Sequence, residues 1–207
     1  MQLHLKVFMV DLVQNSKYHF IPHNFMWYKF FNSLFTGLSI GAIFILYAPL
    51  TPITYSIGGI ALALMLLIVA NFYTKILNIK TFYSLSIFSE VLILLTIFFV
   101  LFMPNSFVQA LLIYIGYQIT FGLGGYFVRA ETLILKKKKL LSIVDIKKQQ
   151  GYLLGMILSY LFYQILEFFE ITSKTIQIYW LHPILLITQI IVIGFLFLSF
   201  KKSSFQT

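Results

Sequence analysis

Long apolar runs alternate along the chain with short polar breaks. The clearest is residues 81–103, TFYSLSIFSEVLILLTIFFVLFM, where Glu90 is the only charged residue. About 20 residues at ~1.5 Å each cross the ~30 Å hydrocarbon layer of a bilayer, so this run predicts a transmembrane helix with Glu90 near its middle. From Phe30 to Thr74 there is no Asp, Glu, Lys or Arg, which is room for two crossings, with Pro49 and Pro52 marking the turn between them. Read in this way, the chain predicts helices over 30–49, 53–73, 81–103, 107–129, 148–167 and 177–200, with Pro104, Asn105 and Ser106 in a tight turn. Leu140, Leu141, Ile143, Val144 and Ile146 predict either a surface helix or the early turns of the fifth span. The fold class is an all-α membrane protein with six transmembrane helices.

Three regions follow. Residues 1–29 are expected to form a cytoplasmic or interfacial segment, because the apolar patch from Leu3 to Val13 is interrupted by Lys6 and Asp11. That run is short and split, and no small-residue cleavage site follows it, so a signal peptide is not expected. Trp27, Tyr28 and Lys29 read as an interfacial anchor before the first span, and Tyr179 and Trp180 as another at the sixth. Residues 30–200 form one transmembrane domain, and 201–207 a cytoplasmic tail.

Composition agrees with lipid as the solvent. Of 207 residues, 60% are hydrophobic and 10% charged, against about a quarter charged in soluble domains. The net charge of +9 raises nucleic acid as a partner, but the placement of the charges argues for an anionic membrane face instead. Fourteen of the 15 Lys and Arg residues lie before the first span, between spans two and three, between four and five, or after the sixth. By the positive-inside rule both termini are cytoplasmic, with Lys136 to Lys139 meeting anionic lipid. With no cysteine, disulfides and thiolate metal sites are excluded. The expected location is a bacterial cytoplasmic (inner) membrane, or alternatively an organellar inner membrane.

Glu90 is the main candidate for chemistry. Desolvation penalises an ionised carboxylate at the midplane, and a membrane chain keeps such a group only where it faces protein or water. It is either a brace bonded to a neighbouring helix or a site for a proton, ion or substrate. Depth matching gives Gln118 and Tyr117 of the fourth span, Tyr160 of the fifth and Gln189 of the sixth as members of one polar layer with it. Polar residues of this kind also serve as glue between helices. Ser33, Gly37 and Gly41 recur every four residues, as do Gly151, Gly155 and Ser159, a spacing that lets two backbones approach closely, within one chain or between two. Arg129, Glu131 and Asp145 flank the basic loop and are candidates for a cytoplasmic gate or ion-pair network. His4, His19, His23 and His182 form no metal motif, and His182 before Pro183 reads as a cap or interfacial residue. The chain has no P-loop and no G-x-S-x-G. No enzyme activity, cofactor or metal is expected.

Six spans with short outer turns and the stretch FVRAETLILKKKKLLSIVDIKKQQGYLLG, residues 127–155, resemble one half of a major facilitator superfamily transporter. In that passage Arg129 and Glu131 close the fourth helix and a Gly-spaced fifth follows. The passage between spans two and three, ANFYTKILNIK, carries Ala70, Thr74 and Leu77 where the family has Gly, Asp and Gly, while Lys75 and Lys80 echo its basic positions. The resemblance implies a bundle like half of the family's fold. In the full family two six-helix halves share one orientation, with the site between them. It therefore implies a half-size carrier of a small solute working by alternating access, as a homodimer or with a related half-transporter chain. The other expectation is a non-transporting subunit or scaffold of a larger membrane complex.

Overall fold

The computed structural model describes residues 18–46, 48, 50–102 and 107–202. The apolar amino-terminal patch, Pro49, the turn at Pro104, Asn105 and Ser106, and residues 203–207 lie outside these. Seven helices and two short strands make up the described chain: β1 (Tyr18–Phe20), α1 (Pro22–Leu46), α2 (Pro52–Asn71), α3 (Tyr73–Ile76), α4 (Ile79–Phe102), α5 (Phe107–Leu135), α6 (Lys138–Phe168), α7 (Lys174–Ser199) and β2 (Phe200–Lys202). Five of them, α2, α4, α5, α6 and α7, are long and apolar enough to cross a membrane.

Local chemistry sets most boundaries. Thr51 precedes Pro52, and its side-chain oxygen accepts from the Thr54 N–H at 3.4 Å, so α2 starts with a cap and with proline in the first turn. The Asn78 side chain accepts from the Thr81 N–H at 2.9 Å and opens α4 in the same way. Lys136 and Glu170 take positive φ, 51° and 60°, at the ends of α5 and α6. The basic loop is thereby reduced to Lys136 and Lys137, and the apolar residues after it are the first turns of α6 rather than a separate surface helix. At 31 residues, α6 is about 46 Å long and outreaches the hydrocarbon layer by several turns.

Two sequence expectations need correction. Helix α1 begins at Pro22, eight residues before the predicted start, so Trp27, Tyr28 and Lys29 are helical, and Tyr28 and Lys29 are buried. Proline at the first position and the Phe25 N–H bonded to the Ile21 carbonyl at 3.2 Å explain the early start. Nor is the chain purely helical. Tyr18–Phe20 pairs antiparallel with Phe200–Lys202, bringing Lys201 and Lys202 into a two-stranded ribbon. Phe20, Phe25, Phe82 and Tyr83 pack their rings around Phe200 or one another at 4.9–6.0 Å and hold the ribbon on the bundle.

The five most extensive helix–helix contacts form one open series: α6 on α1, α1 on α7, α7 on α4, α4 on α5, and α5 on α2. Exchanging the first three long helices for the last three (α1 for α5, α2 for α6, α4 for α7) returns the same series read backwards. At one end, α2 has no buried residue. At the other, α6 buries Val144, Gly151, Gly155 and Ser159 against its neighbours and leaves Leu153, Ile157 and Leu161 outward.

The α6–α1 contact is built on missing side chains. A Cβ on Gly151 would collide with the Phe30 carbonyl oxygen, one on Gly155 with the Leu34 carbonyl oxygen, and one on Gly37 with the Tyr152 carbonyl oxygen. Gly41 faces the Tyr163 ring. Ser159 is buried on the same stripe, and Ser33 is half-buried. The two four-residue repeats of small residues thus interlock within a single chain.

Candidate functional site

Glu90 lies halfway along α4 and is 3% exposed. Its carboxylate receives three hydrogen bonds from two other helices. On α1, the Tyr28 hydroxyl donates to Oε1 at 2.7 Å and the Asn32 amide to the same oxygen at 3.0 Å. On α7, the Gln189 amide donates to Oε2 at 2.9 Å and to the Glu90 backbone carbonyl at 2.9 Å. All three partners are neutral donors. Among the described residues, no Lys, Arg or His forms an ion pair with Glu90.

Beside the carboxylate is a cavity of about 250 Å³. Its walls come from α1 (Tyr28 to Ile43), α4 (Ser89 to Ile93) and α5 (Tyr117 to Phe127). Polar groups on the wall include Lys29, Asn32, Thr36, Ser39, Ser89, Thr120 and Glu90, and the remainder is largely aromatic and aliphatic.

The expected polar layer is assembled in part. Gln189 bonds Glu90 directly, and Tyr117 lines the same cavity against Ser39. Gln118 turns the other way, into an apolar groove between α2 and α5 beside Gly58 and Met65, where its side-chain oxygen is buried without a hydrogen bond. Tyr160 is 63% exposed on the outer side of α6 and takes no part. Depth alone could not separate these residues, because the direction a residue faces depends on which side of its helix meets a neighbour.

Tyr28 and Asn32 were not expected at the site. Their signal was present in the chain: Tyr28, Asn32, Thr36 and Ser39 recur at helical spacing and make one polar stripe. It is visible only if the helix starts at Pro22.

A second polar cluster lies at the end of the bundle that carries the ribbon. Glu131 on α5 is buried and pairs with Lys29 of α1 at 2.7 Å and with Lys148 of α6. Lys148 also reaches Asp145 at 3.3 Å. The Lys29 ammonium stands 5.3 Å from the Phe25 and Tyr28 ring centres, so it is desolvated by aromatic carbon as well as paired. Of the three residues singled out in the sequence, Glu131 and Asp145 therefore share a network, joined through Lys148, with Lys29 attached to Glu131; the sequence selected neither lysine. Arg129 is not in it: its guanidinium bonds the Gly125 carbonyl at 3.1 Å and stacks over Tyr73 at 5.1 Å.

His182 is buried on α7, with Nδ1 donating to the Ile178 carbonyl at 2.7 Å. This gives that carbonyl a side-chain partner one residue before Pro183, and no group of three or more His, Cys, Asp or Glu able to hold a metal occurs among the described residues. Compared with known proteins, the chain matches no family model, no curated protein and no solved structure.

Proposed function

We propose that the chain is a half-size membrane carrier that moves a small solute by alternating access, with Glu90 as a proton-coupling group. The observation that carries this reading is the cavity against Glu90, bounded by three helices and bearing one carboxylate that forms no direct ion pair, with Lys29 on the same wall paired to Glu131. An ionisable group at such depth marks a transport or proton pathway by default.

The helix arrangement supports it. β1 pairs with β2, so both described chain ends share one face of the bundle, and an even number of crossings must separate them. Six spans, with α1 added to the five long apolar helices, would satisfy that parity. A contact series unchanged when three helices are exchanged for the other three is what two inverted three-helix repeats produce, the arrangement inside each half of a major facilitator superfamily transporter. The basic residues cluster at the ribbon end, which favours cytoplasmic termini in a bacterial inner membrane and contact with anionic lipid there. Both ends of the series, α2 and α6, are open, and a second copy in the same orientation would close them into a two-fold dimer with a shared central space.

The reading is tested in proteoliposomes carrying an internal pH dye. A transported solute is expected to collapse an imposed pH gradient in vesicles containing the protein and not in empty ones. Glu90→Gln keeps the side-chain shape and should preserve folding while abolishing the proton movement. Solute movement by Glu90→Gln with unchanged pH dependence would end the coupling role. Mass measurement in mild detergent should give two copies, and a single chain that still transports would remove the dimer.

One observation favours a static role instead: Glu90 ties α4 to both α1 and α7. If it only braces, Glu90→Gln is nearly silent. Glu90→Leu then costs about 1–3 kcal/mol for each donor left buried and unpaired, and the purified mass shows a different partner chain.

A further inference from the structure

We propose, building on the carrier reading, that the solute is a small monovalent organic cation that binds Glu90 in exchange for its proton. The argument starts from the ion pairs nearest Glu90. Buried Glu131 and the exposed Asp145 pair with two ammonium groups, Lys29 and Lys148. Both lysines are already engaged: Lys29 by Glu131 and the rings of Phe25 and Tyr28, Lys148 by Glu131 and Asp145. Glu90 is left as the carboxylate without a direct ion pair, its nearest cation, Lys29, being already engaged by Glu131, and neutral donors alone do not offset burial of an ion.

Every element around Glu90 has been considered. On α1 the titratable neighbours are Tyr28, bonded to it, and Lys29, which pairs with Glu131 but also lines the cavity and acts on Glu90 through space. On α5 they are Tyr117, across the cavity, and Glu131, already paired. On α7 the facing group is the neutral Gln189, and His182 lies two turns away, bonded to Ile178. A proton on Glu90, or a cation beside it, would neutralise the carboxylate locally. When R₄N⁺ arrives, the carboxyl O–H bond breaks, the proton leaves to water and the carboxylate keeps the electron pair. One positive charge replaces another.

The cavity walls select the kind of cation. Phe35, Tyr117, Phe121 and Phe127 present rings to the space, which suits a soft, weakly hydrated ammonium. A hard metal cation would need a cage of oxygen ligands, whereas the carboxylate oxygens already accept from Tyr28, Asn32 and Gln189 and so offer a nearby negative charge rather than an open ligand set. A volume of about 250 Å³ falls below the ~300–1,000 Å³ of drug-sized sites, so the ligand is a small one.

The test uses the full chain in lipid nanodiscs and benzyltrimethylammonium, which has no proton to lose. Its binding is followed by calorimetry in weakly buffered solution. The expected result is release of about one proton per site, with affinity rising about tenfold per pH unit wherever Glu90 is protonated in the free protein. Neopentylbenzene, the uncharged isostere, and benzenesulfonate should bind at least tenfold more weakly, and sodium and potassium should not compete. Glu90→Gln should lose the proton release and the pH dependence together. Because the pH profile of the parent protein is itself diagnostic, the test does not rest on that variant folding. Preference for the sulfonate, or binding of the cation without proton release, would overturn the proposal. Flux of neutral or anionic solutes with no cation binding would sink this inference and leave the carrier standing. Cation binding with proton release but no flux would sink the carrier and leave the site.

Discussion

Replacing Gly155 by leucine is expected to destabilise the protein by about 3 kcal/mol or more, at the upper end of what overpacking costs. The Cβ alone would collide with the Leu34 carbonyl oxygen and come within 3.0 Å of the Gly37 Cα and the Leu38 nitrogen. These are backbone atoms, which cannot move aside as the end of a side chain can. The remaining carbons of leucine would force α1 and α6 apart along the most extensive contact in the molecule. Because α6 touches little else, separation also removes its anchor. Gly194→Ala is the control, since a Cβ there meets nothing within 4 Å. It should be neutral or gain up to about 1 kcal/mol from helix propensity. Unfolding in mixed detergent would measure both. If Gly155→Leu matches the control, the close approach of α1 and α6 is wrong.

Glu131→Leu should cost about 3–5 kcal/mol, the range for breaking a buried ion pair from one side. The carboxylate is shared by Lys29 and Lys148, so its loss strands two ammonium groups, one of them among aromatic rings. Lys29→Met combined with Glu131→Leu should cost less than the sum of the single changes, because one stranded charge goes with its partner. Asp145→Asn should stay under about 1 kcal/mol, since its side chain is 58% exposed and water screens the pair. Arg129→Ala should also cost about 1 kcal/mol or less, the worth of an exposed cation–π contact. Thermal unfolding of these five variants, the single Lys29→Met included, would rank them. Equal, small effects of Glu131→Leu and Asp145→Asn would mean that Glu131 is not the centre of the network.

Much of the site was legible one residue at a time. Glu90 stood out because a charge inside a long apolar run is rare and costly wherever the run lies in lipid. Gln189 was reachable from depth, since rise per residue places polar groups at comparable levels on different helices. Tyr160 and Gln118 had suitable depth but the wrong azimuth. Rotation about the helix axis depends on which neighbour packs where, and the near-uniform hydrophobicity of these helices removes the amphipathic signal that would reveal it in a soluble protein. Tyr28 and Lys29 were misread for a different reason. An aromatic–basic cluster before an apolar run looks like an interfacial anchor, and only the start at Pro22 turns it into the lining of a cavity and one arm of an ion-pair network.

The amino-acid sequence by itself determined the helical class, the rough positions of the long helices but not the starts of α1 and α6, the clustering of basic charge and the small-residue stripes. Each follows from local composition and spacing, since backbone hydrogen bonding in an apolar medium leaves few alternatives to a helix. The tertiary structure alone decided that the two stripes meet each other, that both described ends pair in a ribbon, and that Lys29 and Lys148 share Glu131. It alone decided that Glu90 faces Tyr28, Asn32 and Gln189 beside a cavity. Those outcomes depend on long-range contacts whose partners are up to 184 residues apart, as Tyr18 and Lys202 are. Lipid-facing and helix-facing positions are both apolar in such a chain, so hydrophobicity cannot choose between them, and close packing and polar pairing must.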